Sequence, residues 1–185
     1  MTDLNVGVET VGSTESDDIH DRVEGTNIDE VTLLTTDYLN HFNELVMVLE
    51  MVPDMPEMFE DAKDWQPLAY VDHFSISGFP HGPLAVEAYE KSPAEFREPF
   101  DDTVQQIDAM VLATIEHVAS ALETGETPAL AEFVGQSCIE IRGLIDLASS
   151  IVHRRPDETP TVAEAEAGVD ADANMDQDAI DSLFD

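Results

Sequence analysis

Residues 94–155 constrain the fold more than any other part of the chain. The apolar residues Phe96, Phe100, Val104, Ile107, Val111, Ile115, Val118 and Leu122 recur every three or four positions. Leu130, Val134, Cys138, Ile141, Ile145, Ala148 and Val152 repeat the pattern. That spacing is the period of a helix with one apolar face, not the two-residue alternation of a strand. Between the runs stands Thr124-Gly125-Glu126-Thr127-Pro128. Gly125 suits a left-handed helix end, Thr127 an N-cap and Pro128 a first helical position. So short a link predicts two antiparallel helices with their stripes facing each other. Neither stripe is fully covered by its partner, so upstream segments must pack onto the hairpin.

Those segments also read as helical. Val31, Leu34, Tyr38, Phe42, Leu45, Val48 and Leu49 line one face of a helix over Asn27 to Met51, with Thr35 and Thr36 near its proper start and Pro53 ending it. Pro56, Pro67 and Pro83 each open a short helix, reaching to about Lys63, Phe74 and Lys91, and Ser77 to Pro83 is a loop. No useful strand pattern occurs. The expectation is an all-α protein, a helical bundle over residues 29–155 built on an antiparallel helical hairpin, with three long and three short helices. The two arginines Arg154 and Arg155 suit the last helix end, before Pro156. Residues 1–28 read as a disordered acidic tail, apart from a helical turn near Asp17 to Val23. Residues 156–174 read as a flexible acidic linker, and 175–185 as an amphipathic peptide.

Charge narrows the partners. The formal net charge is −34. Residues 1–30 hold nine acids and one base, and residues 156–185 hold ten acids and no base. The centre carries 22 acids against 6 bases, an excess that would suit a high-salt cytoplasm. Such a field repels nucleic acid and anionic lipid and speeds encounter with a basic protein surface. No run of 18 apolar residues spans a membrane, and the N-terminus lacks the basic and apolar regions of a secretory signal. A cytoplasmic protein is expected. The oligomeric state stays open, a homo-oligomer included. Cys138 lies on an apolar stripe and reads as a buried small hydrophobe.

Other chemistry finds little support in the spacing. Asp37, His41 and Glu44 share one helical face, but a carboxylate-bridged di-metal bundle needs Glu-x-x-His on two helices. Adjacent Glu116 and His117 point about 100° apart. His41 therefore reads as an ion pair with Asp37, and His117 as a partly exposed bundle histidine. His73 and His81 flank a Gly/Pro loop and are candidates to line a small pocket. Met47, Met51, Met55 and Met58 read as core fill or an adaptable binding surface. No cofactor motif is evident.

The chain ends in Asp176-Gln177-Asp178-Ala179-Ile180-Asp181-Ser182-Leu183-Phe184-Asp185. Ile180, Leu183 and Phe184 fall on one face of a single helical turn, with Asp176 placed as an N-cap and Asp178 in the first turn. A turn this short is marginal alone and would fold on docking into a groove. It resembles the N-terminal peptide of the flagellar switch protein FliM, of the form Ser-Gln-Asp/Glu-Ile-Asp-Ala-Leu-Leu/Phe. It is also similar to the C-terminal peptide of the chemotaxis phosphatase CheZ. One extra residue stands between Gln177 and Ile180. The resemblance implies that Asp176, Gln177, Asp178, Ile180, Asp181, Leu183 and Phe184 bind a CheY-like response regulator.

CheZ-type phosphatases are helical hairpins that place an amide beside a receiver's phospho-aspartate, in a motif Asp-x-x-x-Gln, often Asp-Leu-Thr-Gly-Gln. Glu132-Phe133-Val134-Gly135-Gln136 resembles that motif, with Glu for Asp and Val for Thr. The resemblance implies that Gln136 orients the attacking water and Glu132 engages the receiver. Glu132 and Gln136 share a face turned away from the apolar stripe, hence exposed. Asp101–Gln105 and Asp102–Gln106 share the bare spacing. Asp37 to Glu44 also resembles an uncharacterised family of bacterial proteins. The expected function is receiver binding in chemotaxis or two-component signalling, with dephosphorylation as its catalytic form. A non-catalytic adaptor and a metal- or ligand-binding bundle are the alternatives.

Overall fold

The computed structural model describes residues 18–125 and 129–154. Every regular element among them is helical. They are α1 (Ile19–Val23), a 3₁₀ turn (Thr36–Leu39), α2 (Asn40–Met51), a second 3₁₀ turn (Pro56–Met58), α3 (Phe59–Ala62), α4 (Tyr70–Ile76), α5 (Gly82–Lys91), α6 (Ala94–Thr124) and α7 (Leu130–Val152). The all-α bundle built on a hairpin is thus the observed architecture. The tails, the linker and the terminal peptide at residues 1–17 and 155–185 lie outside the described residues. So do Thr127 and Pro128.

The hairpin forms because the two longest amphipathic runs bury each other. Phe100, Ile107, Val111 and Val118 of α6 and Val134, Cys138, Ile141 and Ala148 of α7 are all at most 1 % exposed. Burying side chains of the larger kind contributes about 1.5–3 kcal/mol each, so the hairpin supplies a large share of the domain's hydrophobic term. Gly125 ends α6 in the left-handed region at φ 75°, where a glycine carries no Cβ penalty. On the other side, α2 lays Phe42, Leu45, Val46 and Leu49 into the core and packs against α7. Arg142 of α7 reaches Glu50 of α2 at 2.8 Å across that contact.

The short helices close one end. Thr35 caps the first 3₁₀ turn by accepting from the Asp37 amide. Helices α4 and α5 pack together, and Gly82 lets them meet, because a Cβ there would fall 2.6 Å from the Phe74 carbonyl oxygen. Proline opens α5 and the second 3₁₀ turn, as the sequence predicts, but Pro67 does not open α4, which begins at Tyr70 and runs to Ile76.

Four other expectations need correction. The folded unit begins by Asp18 and not at residue 29, since Ile19, Val23 and Ile28 are buried and α1 packs on α5. Arg22 fixes that segment by an ion pair to Glu87 at 2.7 Å. Nor is the stretch from Asn27 to Thr35 helical. Asp29 accepts from the amides of Val31 and Thr32, and Leu33 adopts φ 59°. Buried polar groups hold this loop: Thr32 donates to the Val152 carbonyl at 2.7 Å, Ser92 donates to the Thr32 carbonyl, and the Thr35 amide donates to the Tyr70 hydroxyl. Helix α7 stops at Val152, before the arginines, because its last carbonyl is satisfied by Thr32 instead. Finally, Met47, Met51 and Met55 are 60 %, 39 % and 37 % exposed and are not core fill.

Candidate functional site

The outward face of the hairpin carries the residues that the sequence singles out. Glu132 and Gln136 are both exposed on α7. They lie one turn apart, on the face opposite Val134, Cys138 and Ile141, as helical geometry requires. The Gln136 amide donates to the Glu140 carboxylate at 2.8 Å, one turn later, rather than to Glu132. An accessible amide held by a neighbouring carboxylate can position a water or stabilise charge on a docked partner. The competing spacings behave differently. Asp101 accepts the Tyr89 hydroxyl at 2.9 Å, and Gln106 donates to the Asp102 carbonyl.

Next to Gln136 lies a surface groove of about 650 Å³, floored by Ala109, Ala113 and Gly143 and walled by Met110 and Leu144. Small side chains on both helices leave the depression, and a Cβ added at Gly143 would meet nothing within 4 Å. Ile139 and Leu147 stand 66 % and 46 % exposed on the same helix. The sequence signal for the groove was the Ala109–Ala113 pair one turn apart, which periodicity alone reads as filler.

The histidines sit elsewhere. His41 is not paired with Asp37. Its Nδ1 faces the Tyr38 carbonyl, which can only accept, so that nitrogen carries the proton. Asp37 accepts instead from Asn27 and from the Thr35 hydroxyl. Burial first, and the neighbouring His73 in addition, push His41 down to about 4, against the pull of the Tyr38 carbonyl. His41 and His73 rings stand 5.1 Å apart in a pocket of about 360 Å³ with Glu44 and Phe79, and His81 is not among its walls. Among the described residues no three His, Cys, Asp or Glu side chains converge to hold a metal ion. His117 is exposed and packs against Phe133, the ring centres 3.8 Å apart and tilted by 32°. Cys138 is 1 % exposed, and burial pushes its thiol up to about 11, which leaves it a packing residue.

The peptide residues Asp176, Gln177, Asp178, Ile180, Asp181, Leu183 and Phe184 lie outside the described residues. No helix among the described residues is long and apolar enough to cross a membrane. No protein-family model, curated protein sequence or solved structure matches the chain. The fold and its surfaces therefore define a class, an all-α bundle on a long hairpin, and function rests on the residues themselves.

Proposed function

We propose that this chain is a cytoplasmic signalling protein that binds a CheY-like receiver through residues 176–185. The observation that carries the reading is the terminal pattern Asp176-Gln177-Asp178 followed by Ile180, Leu183 and Phe184, on an acidic arm beyond a folded helical domain. An apolar triplet on one turn supplies groove anchors, and the flanking aspartates complement a basic rim. Deleting residues 176–185 should abolish capture of a beryllofluoride-activated CheY-like receiver in a pulldown. Equal capture by the truncated chain refutes the reading.

A second reading makes the hairpin a phosphatase, and the exposure of Gln136 beside Glu132 favours it. The amide would enter the receiver's active site and orient water, with no covalent step on this chain. Its test is the lifetime of the phosphorylated receiver with wild type and with Gln136→Ala. Acceleration by wild type that the variant loses supports catalysis. No acceleration by wild type leaves binding alone.

A further inference from the structure

The hairpin's α6 also forms one wall of a cleft that the signalling reading does not use. It measures about 510 Å³, within the range of small-ligand sites, and lies between α6, α4 and the end of α5. Aromatic groups stand among its walls: Tyr89 is half-buried and open to it, while Tyr38, Tyr70 and Phe100 back it from the core, each at most 4 % exposed. Three carboxylates line it, those of Asp72, Asp101 and Asp108, and no Lys, Arg or His does. Arg97 stays behind Tyr89, its guanidinium 5.8 Å from that ring's centre and donating to the Tyr89 and Glu90 carbonyls.

The polar groups here are unevenly satisfied. Tyr38 donates to the Leu68 carbonyl, and Tyr89 donates to Asp101. Tyr70 accepts from the Thr35 amide and keeps its own proton to give. Asp108 is different, because its Oδ1 is buried and has no hydrogen-bond partner. A buried carboxylate oxygen without a donor is costly, and a cation bearing N–H groups removes that cost. Aromatic faces attract the same cation through their quadrupoles.

We infer that this cleft binds a small organic cation with an ammonium or guanidinium head, its N–H groups on the Asp108 carboxylate and its stem along the half-buried Tyr89 ring. An anion would meet three carboxylates, and a neutral ligand would leave Asp108 uncompensated. The inference stands independently of receiver binding.

Agmatine is the probe, titrated calorimetrically into the full-length protein at physiological salt. One-site saturable binding is expected, with n-butylurea, a neutral analogue, failing to bind. Asp108→Asn should weaken agmatine roughly tenfold or more, the scale of a lost charged hydrogen bond. Ala69→Trp, at an exposed position on the rim, should block the cleft without touching the core. Asp61→Asn removes an exposed acid away from the cleft and should leave the affinity unchanged. Circular dichroism checks that each variant is folded, and if Asp108→Asn is not, Ala69→Trp decides. The inference falls if agmatine shows no saturable binding up to about 10 mM, a threshold of roughly 3 kcal/mol. It falls equally if the folded cleft variants bind as wild type does, or if Asp61→Asn weakens binding as much as they do.

Discussion

Two half-buried titratable side chains pull the domain's stability in opposite directions with pH. Burial pushes Asp108 up to about 6 from an ordinary 3.8. Its folded state therefore binds a proton more tightly than the unfolded chain, and stability falls as pH rises from about 4 to 6. His41 is the reverse: held near 4 against an ordinary 6.5, it costs stability as pH falls through that window. The two slopes partly cancel in the wild type, and single variants separate them. Asp108→Asn should gain about 1–2 kcal/mol at neutral pH, after discounting for partial exposure, and nothing below pH 4. His41→Phe keeps the ring contacts to Tyr38 and Phe42 and should remove about 2 kcal/mol of acid sensitivity between pH 6.5 and 4. Urea melts across pH check both, and parallel profiles for wild type and variants would contradict the assignment. Neither group was legible in sequence. Asp108 follows a core isoleucine on a helix whose neighbouring acids, Asp102 and Glu116, are exposed. Its burial comes from segments packed onto α6 from elsewhere in the chain, Tyr38 of the first 3₁₀ turn among them.

At the scale of elements, prolines and glycines carried most of the readable information, because their backbone limits act locally. Gly125, Pro56 and Pro83 each sit where their chemistry predicts. Gly82 is a different case, since its reason is tertiary: α4 crosses so close that a methyl group would strike the Phe74 carbonyl. Gly82→Ala should destabilise the domain by about 1–3 kcal/mol, as overpacking does, although alanine is the better helix former. Thermal melts of the variant test this, and an unchanged or raised Tm would refute it. The helical start falls at Thr36 with Thr35 as its cap, as the threonines predict, but the loop before it, from Asp29 to Leu34, is not part of the helix. Its apolar residues Val31 and Leu34 fit a helical stripe, yet Asp29 competes for the backbone and Thr32 closes the end of α7.

For the whole molecule, the described residues form a closed hydrophobic unit. A chain of residues 18–154 should keep its helical circular dichroism and unfold cooperatively, whereas one starting at residue 29 should lose stability with Ile19, Val23 and Ile28. A non-cooperative melt of the longer fragment would contradict this. Added salt should raise Tm in both, because a strongly acidic chain repels itself and ions screen that repulsion.

The sequence by itself determined the helical class, the hairpin and most helix boundaries, since amphipathic period, glycine and proline act within a few residues of chain. It also put Glu132 and Gln136 on one exposed face, which follows from 3.6 residues per turn. The tertiary structure alone decided that residues 18–28 belong to the fold and that Asp108 lines a cleft with Tyr38, Tyr70 and Tyr89. Those outcomes depend on which side chains meet across distant segments, and periodicity along one segment carries no record of what packs against it.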